Sequence, residues 1–261
     1  MHITNCNIQM RKSIIITISI IISIICLACQ KRTQDNSQKI WLHRANDIPK
    51  AQYFQDKYAG LEIDITYLDS LNTFIVFHGG DLDDTGSFTL EQWLNEIENV
   101  NELGLWLDFK NLNCDNRKPA LDELNRLCSK FKIKKSKIII ENWNAQDFPI
   151  FQEDGYKTSY YIPDFNPKKT SKDDIQKHTY KIREIISAYH PTTISGYYYQ
   201  YQFMRDSFPD TDVMIWYTKG RKRVLKKYID FVNQDDKAKV LLIADEVPSD
   251  VKYFNYCRYD E

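Results

Sequence analysis

The sequence is poor in the features that mark several large classes of protein. Only eight of its 261 residues are glycine, and it has no glycine-rich phosphate loop, which disfavours the nucleotide-binding folds that depend on such a loop. The formal net charge is −1, so the chain lacks the basic excess expected of a nucleic-acid-binding protein. Its six cysteines show none of the spacings that are typical of cysteine-based metal sites.

One long apolar stretch lies near the N-terminus and differs from the rest of the chain. Arg11 and Lys12 precede Ser13–Ala28, which is rich in isoleucine. A short basic region followed by an apolar core of this length is typical of an export signal, and it is short for a membrane-spanning helix. We therefore expect residues 1–28 to be a signal peptide.

The residues that follow this stretch indicate a lipid anchor. The string LAC that ends at Cys29 resembles the lipobox of bacterial lipoproteins, although Cys26 stands where that motif usually has Leu, Val or Ile. Cys29 would then carry the lipid, residues 29–39 would form a tether, and the protein would be attached to a membrane of the cell envelope, on its periplasmic or outer-surface face. A plain secretory signal and an uncleaved anchor are the alternatives. Residues 40–261 suit one large domain.

Short apolar runs alternate with helix-like segments along this domain. The alternation favours parallel strands joined by right-handed helical crossovers, and about eight such units fit a closed α/β barrel of the TIM (β/α)8 type. An open doubly wound sheet is the alternative. The predicted strands are Ile40–His43, Leu61–Ile65, Phe74–His78 (an extra strand or loop extension), Gly104–Phe109, Lys137–Glu141, Ser159–Ile162, Thr193–Tyr198, Val213–Tyr217 and Val240–Ala244. The predicted helices are Pro49–Tyr58, Thr89–Val100, Lys118–Phe131, Gln146–Glu153, Lys172–Tyr189, Tyr201–Ser207 and Arg221–Val232.

Polar side chains interrupt three of these strands near their carboxyl ends. Glu62 and Asp64 alternate with apolar residues, as do Asp108 and Lys110, and His43 ends the first strand. Because successive side chains of a strand point to opposite faces, the polar members of each strand share one face. In a barrel that face is the interior, and active sites lie at the carboxyl ends of the strands. The pattern therefore predicts one inward-facing polar cluster.

The composition of this cluster indicates a hard metal ion and an anionic substrate. Carboxylates from different strands form an oxygen-rich site that favours Mg²⁺ or Ca²⁺. His43 and His78 can act as acid and base because histidine titrates near working pH. Arg44 and Lys110 would hold an anion, a combination that suits phosphoryl chemistry. Buried ion pairs without catalysis and a glycoside-directed enzyme with two carboxylates are the alternatives.

The order of these motifs resembles that of the glycerophosphodiester phosphodiesterases and their relatives in the phospholipase C-like superfamily. Those proteins carry HRG, ExD, HD and ExK strings. The corresponding strings here are His43-Arg44-Ala45, Glu62-Ile63-Asp64, His78-Gly79 and Asp108-Phe109-Lys110. Asp in the last motif looks like the sphingomyelinase D branch, and Thr89–Leu112 resembles most closely the menorin family.

The resemblance implies a TIM barrel of the phospholipase C-like phosphodiesterase type and a role for each motif residue. Glu62, Asp64 and Asp108 would bind one divalent ion, and His43 and His78 would be the acid–base pair. The substrate would be a glycerophosphodiester or a lysophospholipid-type headgroup, with a cyclic phosphate as a possible intermediate. The residues expected to contact the phosphate or the rest of the substrate are Arg44, Lys110 and Trp216.

Two departures from the family strings keep a second hypothesis open. Gly79 replaces the Asp that usually follows the second histidine, and Ala45 replaces the glycine of HRG, where it could crowd the loop. A non-catalytic surface lipoprotein that binds a ligand at the barrel mouth is therefore the alternative function.

Several further residues outside the motifs are candidates for a role in or near the site. Glu141 and Asn142 end a strand and could support the site, and the aromatic run Tyr197–Tyr201 could line a headgroup pocket or pack the fold. The basic stretch Lys219–Lys227 is either a solvated helix face or a contact for anionic lipid. His178 and His190 are expected to be structural.

Overall fold

The computed structural model describes residues 38–78 and 88–248. The predicted signal peptide, Cys29, nearly all of the tether and Gly79 lie outside the described residues, so these predictions stay open. Among the described residues, no helix has both the length and the apolar character needed to cross a bilayer. The described residues from Lys39 onward belong to one compact unit.

Ten strands and seven α-helices lie in the described part of this unit. The strands are β1 (Ile40–Leu42), β2 (Gly60–Leu68), β3 (Thr73–Val76), β4 (Phe88–Thr89), β5 (Gly104–Phe109), β6 (Ile138–Asn142), β7 (Lys157–Tyr161), β8 (Thr193–Tyr197), β9 (Asp212–Tyr217) and β10 (Ala238–Ile243). The helices are α1 (Ile48–Phe54), α2 (Leu90–Glu96), α3 (Arg117–Phe131), α4 (Pro149–Glu153), α5 (Lys172–Tyr189), α6 (Tyr201–Ser207) and α7 (Lys222–Gln234).

Eight of the strands close into a parallel barrel. Their order is β1, β10, β9, β8, β7, β6, β5 and β2, and a parallel pairing of Leu42 with Leu61 joins β1 to β2. The helices cover the outside of the ring, where apolar side chains of the strands form the main core. The predicted TIM-barrel fold is thus confirmed, and the open-sheet alternative is wrong because both edges of the sheet are paired.

Strands β3 and β4 are an antiparallel addition to the barrel. β2 continues past Ile65 and turns back into β3, which pairs with it from Thr73 to Val76. Just beyond this pairing, the Phe77 N–H donates to the Asp64 carbonyl at 3.0 Å. The hairpin therefore returns His78 to the level of Asp64 on β2.

The bounds of three predicted elements agree with the structure and several helix ends do not. Gly104–Phe109 and α5 and α6 have the predicted bounds. The helix predicted over Thr89–Val100 ends at Glu96, and Asn99 then takes a left-handed conformation with φ of 51°. α4 begins only at Pro149, which suits the first helical turn because proline has no N–H to donate.

A layer of apolar side chains closes the amino-terminal end of the barrel interior. The Trp41 indole lies directly on two glycines of neighbouring strands, since a Cβ on Gly60 or Gly104 would stand 2.4 or 2.3 Å from its ring. Glycine is needed at both positions because of this close approach. The layer supports the polar residues above it and consists of Trp41, Trp106, Ile139, Met214, Val240 and Leu242.

Candidate active site

A cavity of about 700 Å³ opens at the carboxyl ends of the barrel strands. Most of its lining belongs to two groups: charged residues and histidines from β1, β2, β5 and their loops, and aromatic residues from β7, β8, β9 and the segment after β8. All seven residues of the predicted polar cluster face this cavity, together with Trp216. The shared inward face that strand alternation predicted for the polar residues of the strands agrees with this lining, and the chemical roles assigned to them stay predictions.

Three carboxylates converge on one point of the cavity wall. Ligand oxygens of Glu62, Asp64 and Asp108 all lie within 4.8 Å of one another. The register of β2 and β5 produces this convergence, because Asp64 is paired with Asp108 and Glu62 lies two residues before Asp64 on the same face. Glu62 and Asp64 are only 3% and 1% exposed, so their charges need compensation that water cannot supply.

Lys110 supplies part of that compensation. Its ammonium contacts the Asp64 carboxylate at 2.5 Å and also the Asp108 carboxylate. Burial alone would raise the pKa of Asp64, but Lys110 and a hydrogen bond from Asn46 outweigh it and hold that pKa below its ordinary value. Burial would likewise lower the pKa of Lys110, and the two carboxylates outweigh it and raise that pKa.

The positive charge of Lys110 does not neutralise three carboxylates, and the remaining negative charge acts on Glu62. Burial and the neighbouring charges of Asp64 and Asp108 raise the pKa of Glu62 well above its ordinary value. Burial also raises the pKa of Asp108 despite its contact with Lys110. Oxygen donors with excess negative charge are the ligands that Mg²⁺ and Ca²⁺ prefer. The donor set therefore fits a hard divalent ion.

The loop after β1 holds two of the carboxylates in place. Arg44 has a left-handed backbone with φ of 52°, and its N–H donates to Glu62 Oε2 at 2.6 Å. Asn46 forms two hydrogen bonds with Asp64. Its Nδ2 donates to Asp64 Oδ2 at 2.6 Å, and its Oδ1 accepts the Asp64 backbone N–H at 2.9 Å. Asn46 had not been predicted as a site residue, because its partner is 18 positions away.

Ala45 fits this loop, contrary to the expectation that it could crowd it. It is fully buried, its N–H donates to the Glu62 carbonyl at 2.8 Å, and its carbonyl accepts the Trp93 indole N–H at 2.9 Å. The left-handed conformation that would favour glycine falls on Arg44 rather than on Ala45. The missing glycine therefore carries no penalty at this position.

The two histidines flank the carboxylates and differ in their surroundings. His43 Nε2 lies 3.9 Å from Glu62 Oε2, and burial together with Arg44 lowers the pKa of His43 to about 4. His78 is half exposed, and its Nδ1 lies 3.0 Å from Asp64 Oδ2. The Arg44 guanidinium donates to His78 Nε2, so Nδ1 carries the ring proton in this arrangement.

A second polar layer lies below the carboxylates. Glu141 is buried, and it accepts hydrogen bonds from the Trp106 indole N–H and from the Ser195 hydroxyl, the latter at 2.6 Å. Burial and the charge of Asp108 raise the pKa of Glu141 well above its ordinary value. The predicted supporting role of Glu141 agrees with this position. Asn142 instead faces away from the cavity and donates to the Phe109 carbonyl at 2.6 Å.

Comparisons with known proteins relate this arrangement to a fold family. No protein-family model matches the chain, and no curated protein matches its sequence. A glycerophosphodiester phosphodiesterase from Parabacteroides distasonis, 14% identical, matches with a TM-score of 0.56 over 78% of this chain and 92% of that chain. A phosphodiesterase from Oleispira antarctica, solved in complex with the product sn-glycerol-3-phosphate, is 10% identical and matches with a TM-score of 0.53 over 79% and 92%.

This chain has the fold of the glycerophosphodiester phosphodiesterases. The fold predicted from the motif order is confirmed, while membership of the superfamily and the closer resemblance to the menorin family stay predictions.

The wall opposite the carboxylates is aromatic in this protein. The Trp216 ring packs on Tyr161 and Tyr197, with centroid distances of 4.4 and 5.2 Å, and Tyr199 stacks on Tyr197 at 5.2 Å. Of the run Tyr197–Tyr201, the first three residues line the cavity. Tyr161 had not been predicted, although it lies two residues beyond Ser159 on the inward face of β7.

The histidines expected to be structural lie away from the cavity lining. His178 is on α5 and stacks on Phe165 with a centroid distance of 4.1 Å. His190 ends α5 in a left-handed conformation with φ of 46°. Cys114 and Cys128 are free thiols, while Cys257 lies outside the described residues.

Proposed function

We propose that this protein is a metal-dependent phosphodiesterase that acts on glycerophosphodiesters or lysophospholipid-type headgroups. The observation that carries the proposal is the convergence of three carboxylates, two histidines and two cations on one cavity at the carboxyl end of the barrel. The fold shared with glycerophosphodiester phosphodiesterases supports the reaction class, and the product bound to the Oleispira protein supports a glycerol-linked phosphodiester.

The charged residues of the cavity would bind the phosphate. Glu62, Asp64 and Asp108 would hold one Mg²⁺ or Ca²⁺ ion, which would polarise the phosphoryl oxygens and neutralise developing charge. Lys110 and Arg44 would contact the same phosphate, because both cations line the cavity beside the carboxylates. Trp216 and the other rings of the aromatic wall would contact the organic part of the substrate.

The two histidines would move the protons. His43 is neutral at working pH because burial and Arg44 lower its pKa, so it would accept the proton of the attacking hydroxyl. That hydroxyl belongs to water or to the substrate itself, and in the second case a cyclic phosphate would form. His78, oriented by Asp64, would act in its protonated form: once the Arg44 guanidinium has moved from His78 Nε2 to the phosphate, Nε2 would carry a proton and donate it to the leaving alcohol. The proton taken up by His43 would then pass to solvent and His78 would take one from solvent, so that both rings return to their starting states.

The cellular setting is part of the proposal. A signal peptide over residues 1–28 and a lipid on Cys29 would export the protein and attach it to a membrane of the cell envelope. Glycerophosphodiesters and lysophospholipids are products of phospholipid turnover, so the substrate would be close to the attached enzyme. Metabolic labelling with a radioactive fatty acid, compared between the wild type and Cys29→Ala, tests the anchor.

The test of the activity is hydrolysis of glycerophosphodiesters by purified protein with and without chelator. We expect His43→Ala and His78→Ala each to lower turnover by roughly 100-fold or more, the usual contribution of general acid–base catalysis. His190→Asn is the matched control, because His190 is exposed, lies outside the cavity lining and has a left-handed backbone that Asn tolerates. Circular dichroism verifies that all three variants fold.

Two outcomes would contradict the proposal. Metal-dependent hydrolysis that persists in both cavity variants would remove the histidines from the mechanism. Saturable binding of the same compounds without turnover in the wild type would instead support the alternative of a ligand-binding lipoprotein.

A further inference from the structure

A dense group of cations follows β9 at the cavity end of the barrel. Six of the nine residues from 219 to 227 are Lys or Arg, none is acidic, and all six are exposed. We call this group the basic rim, and it consists of Lys219, Arg221, Lys222, Arg223, Lys226 and Lys227.

The basic rim is a dense run of cations without acidic partners. Several cations elsewhere are paired with carboxylates, for example Arg126 with Glu91 and Glu123, and Arg205 with Asp235 at 2.6 Å. None of the six rim residues forms an ion pair with another described residue. Uncompensated positive charge of this density attracts a polyanionic surface.

Several contacts hold the rim beside the cavity mouth. Lys219 lines the cavity itself. The Tyr217 hydroxyl donates to the Arg221 carbonyl at 2.9 Å, which fixes the loop between β9 and α7. Tyr228 of α7 packs on Tyr198, a ring of the cavity wall, with a centroid distance of 5.2 Å. The apolar face of α7 therefore packs on the barrel, and its basic face remains in solvent.

Two large apolar side chains are exposed at the same end of the barrel. Trp143, which directly follows β6, is 71% exposed, and Leu71, in the turn of the hairpin that extends β2, is 67% exposed. Both positions follow the carboxyl ends of barrel strands, as the basic rim does. Isolated exposed apolar residues are common, but a Trp and a Leu on the end that carries the cations have the composition of a membrane-binding surface.

We propose that this end of the barrel docks on an anionic lipid bilayer. Trp143 and Leu71 enter the interfacial region, the basic rim binds anionic headgroups, and the cavity mouth faces the membrane. A soluble polyanion is a poorer match, because it would use the cations and leave the two apolar side chains in water. This docking surface is separate from the proposed anchor at Cys29, and it does not depend on the phosphodiesterase activity.

Trp143 provides a direct probe of docking in the full-length chain. Trp41, Trp93 and Trp106 are buried, and Trp216 is packed into the cavity wall. Transfer of Trp143 from water into a bilayer interface will therefore shift the fluorescence emission to the blue. We expect the shift with vesicles of equimolar phosphatidylcholine and phosphatidylglycerol, not with pure phosphatidylcholine vesicles, and we expect Trp143→Phe to abolish it.

A charge variant and a matched control test the rim. The rim variant carries Lys222→Gln, Lys226→Gln and Lys227→Gln. Each basic residue near an anionic surface strengthens partitioning by roughly fivefold, so this variant should bind the mixed vesicles about 100-fold more weakly. The control variant removes three exposed lysines near the opposite, amino-terminal end of the barrel strands, and it should bind like the wild type. Its changes are Lys132→Gln, Lys134→Gln and Lys157→Gln.

The N-terminal apolar segment is present in every variant, so it contributes equally to each comparison. Equal shifts with neutral and mixed vesicles, a rim variant that shifts like the control variant, or no shift with mixed vesicles would each overturn the proposal. Binding of the rim to a soluble polyanion such as heparin, without a Trp143 shift on vesicles, would assign it to a soluble partner and also overturn the proposal.

Discussion

Replacing Glu62 with Gln should stabilise the metal-free protein while it abolishes activity. Glu62 is buried within 4.8 Å of two other carboxylates. At an effective dielectric constant of about 20, two unit charges at that distance repel by about 3.5 kcal/mol. Lys110 contacts Asp64 and Asp108, but no ion pair between Lys110 and Glu62 is observed among the described residues. Glu62 therefore carries the uncompensated charge of the cluster.

Protonation limits how much this repulsion can cost. The pKa of Glu62 is raised above its ordinary value of 4.5, so the folded state binds the proton more tightly than the unfolded state does. Stability then falls as pH rises above 4.5, and at pH 7 the loss cannot exceed about 3.4 kcal/mol, at about 1.36 kcal/mol per pH unit. Gln keeps an acceptor for the Arg44 N–H but makes a weaker hydrogen bond, which offsets about 1 kcal/mol.

Urea unfolding in the presence of chelator measures the net change in the free energy of unfolding. We expect Glu62→Gln to be more stable than the wild type by about 1–2 kcal/mol at pH 7, with an advantage that shrinks towards pH 4.5. Added Mg²⁺ or Ca²⁺ should stabilise the wild type and reduce the difference, because a ligand at hundredfold its Kd contributes about 2.7 kcal/mol. Glu153→Gln, an exposed change on α4, should lie within about 0.5 kcal/mol of the wild type. A chelated Glu62→Gln protein less stable than the wild type would refute the reasoning.

Two further changes test the support of the site. Gly104→Ala should destabilise the fold by about 1–3 kcal/mol in urea unfolding, because the new Cβ would stand 2.3 Å from the Trp41 ring; unchanged stability would show that the indole can move. Asn46→Ala should lower turnover by about tenfold with little change in global stability, because it releases both hydrogen bonds that orient Asp64. Wild-type turnover in this variant would show that Asp64 is held by its other contacts.

The barrel and the polar cluster were predictable because both follow from local periodicity. Alternation at period two assigned Glu62, Asp64 and Asp108 to one face, and the carboxyl-end rule assigned that face to the cavity. The pairing of Asp64 with Asp108 in neighbouring strands then brings the carboxylates together. Parallel neighbours in a barrel have nearly fixed spacing, so the position of a residue along its strand was sufficient information.

The residues that the sequence did not reveal depend on contacts between distant segments. Asn46 reaches Asp64 only because β1 pairs with β2 to close the barrel. His78 was predicted as a motif residue, but its contact with Asp64 depends on the hairpin that turns β3 back along β2. The end of α2 was missed for a similar reason, since a left-handed Asn99 leaves no mark in the helical periodicity.

Successive layers of the barrel interior support the site. Trp41 packs on Gly60 and Gly104 at the amino-terminal end of the barrel interior. Trp106 lies in the same layer, and its indole N–H donates to Glu141. Glu141 accepts hydrogen bonds from Trp106 and Ser195, and the first of these fixes the Trp106 side chain two residues before Asp108 on β5. A charged cluster in water would rearrange to separate its like charges. Here the strands, the Asn46 hydrogen bonds and Lys110 hold the three carboxylates in place. Their mutual repulsion therefore persists in the folded protein, and it favours the binding of a cation.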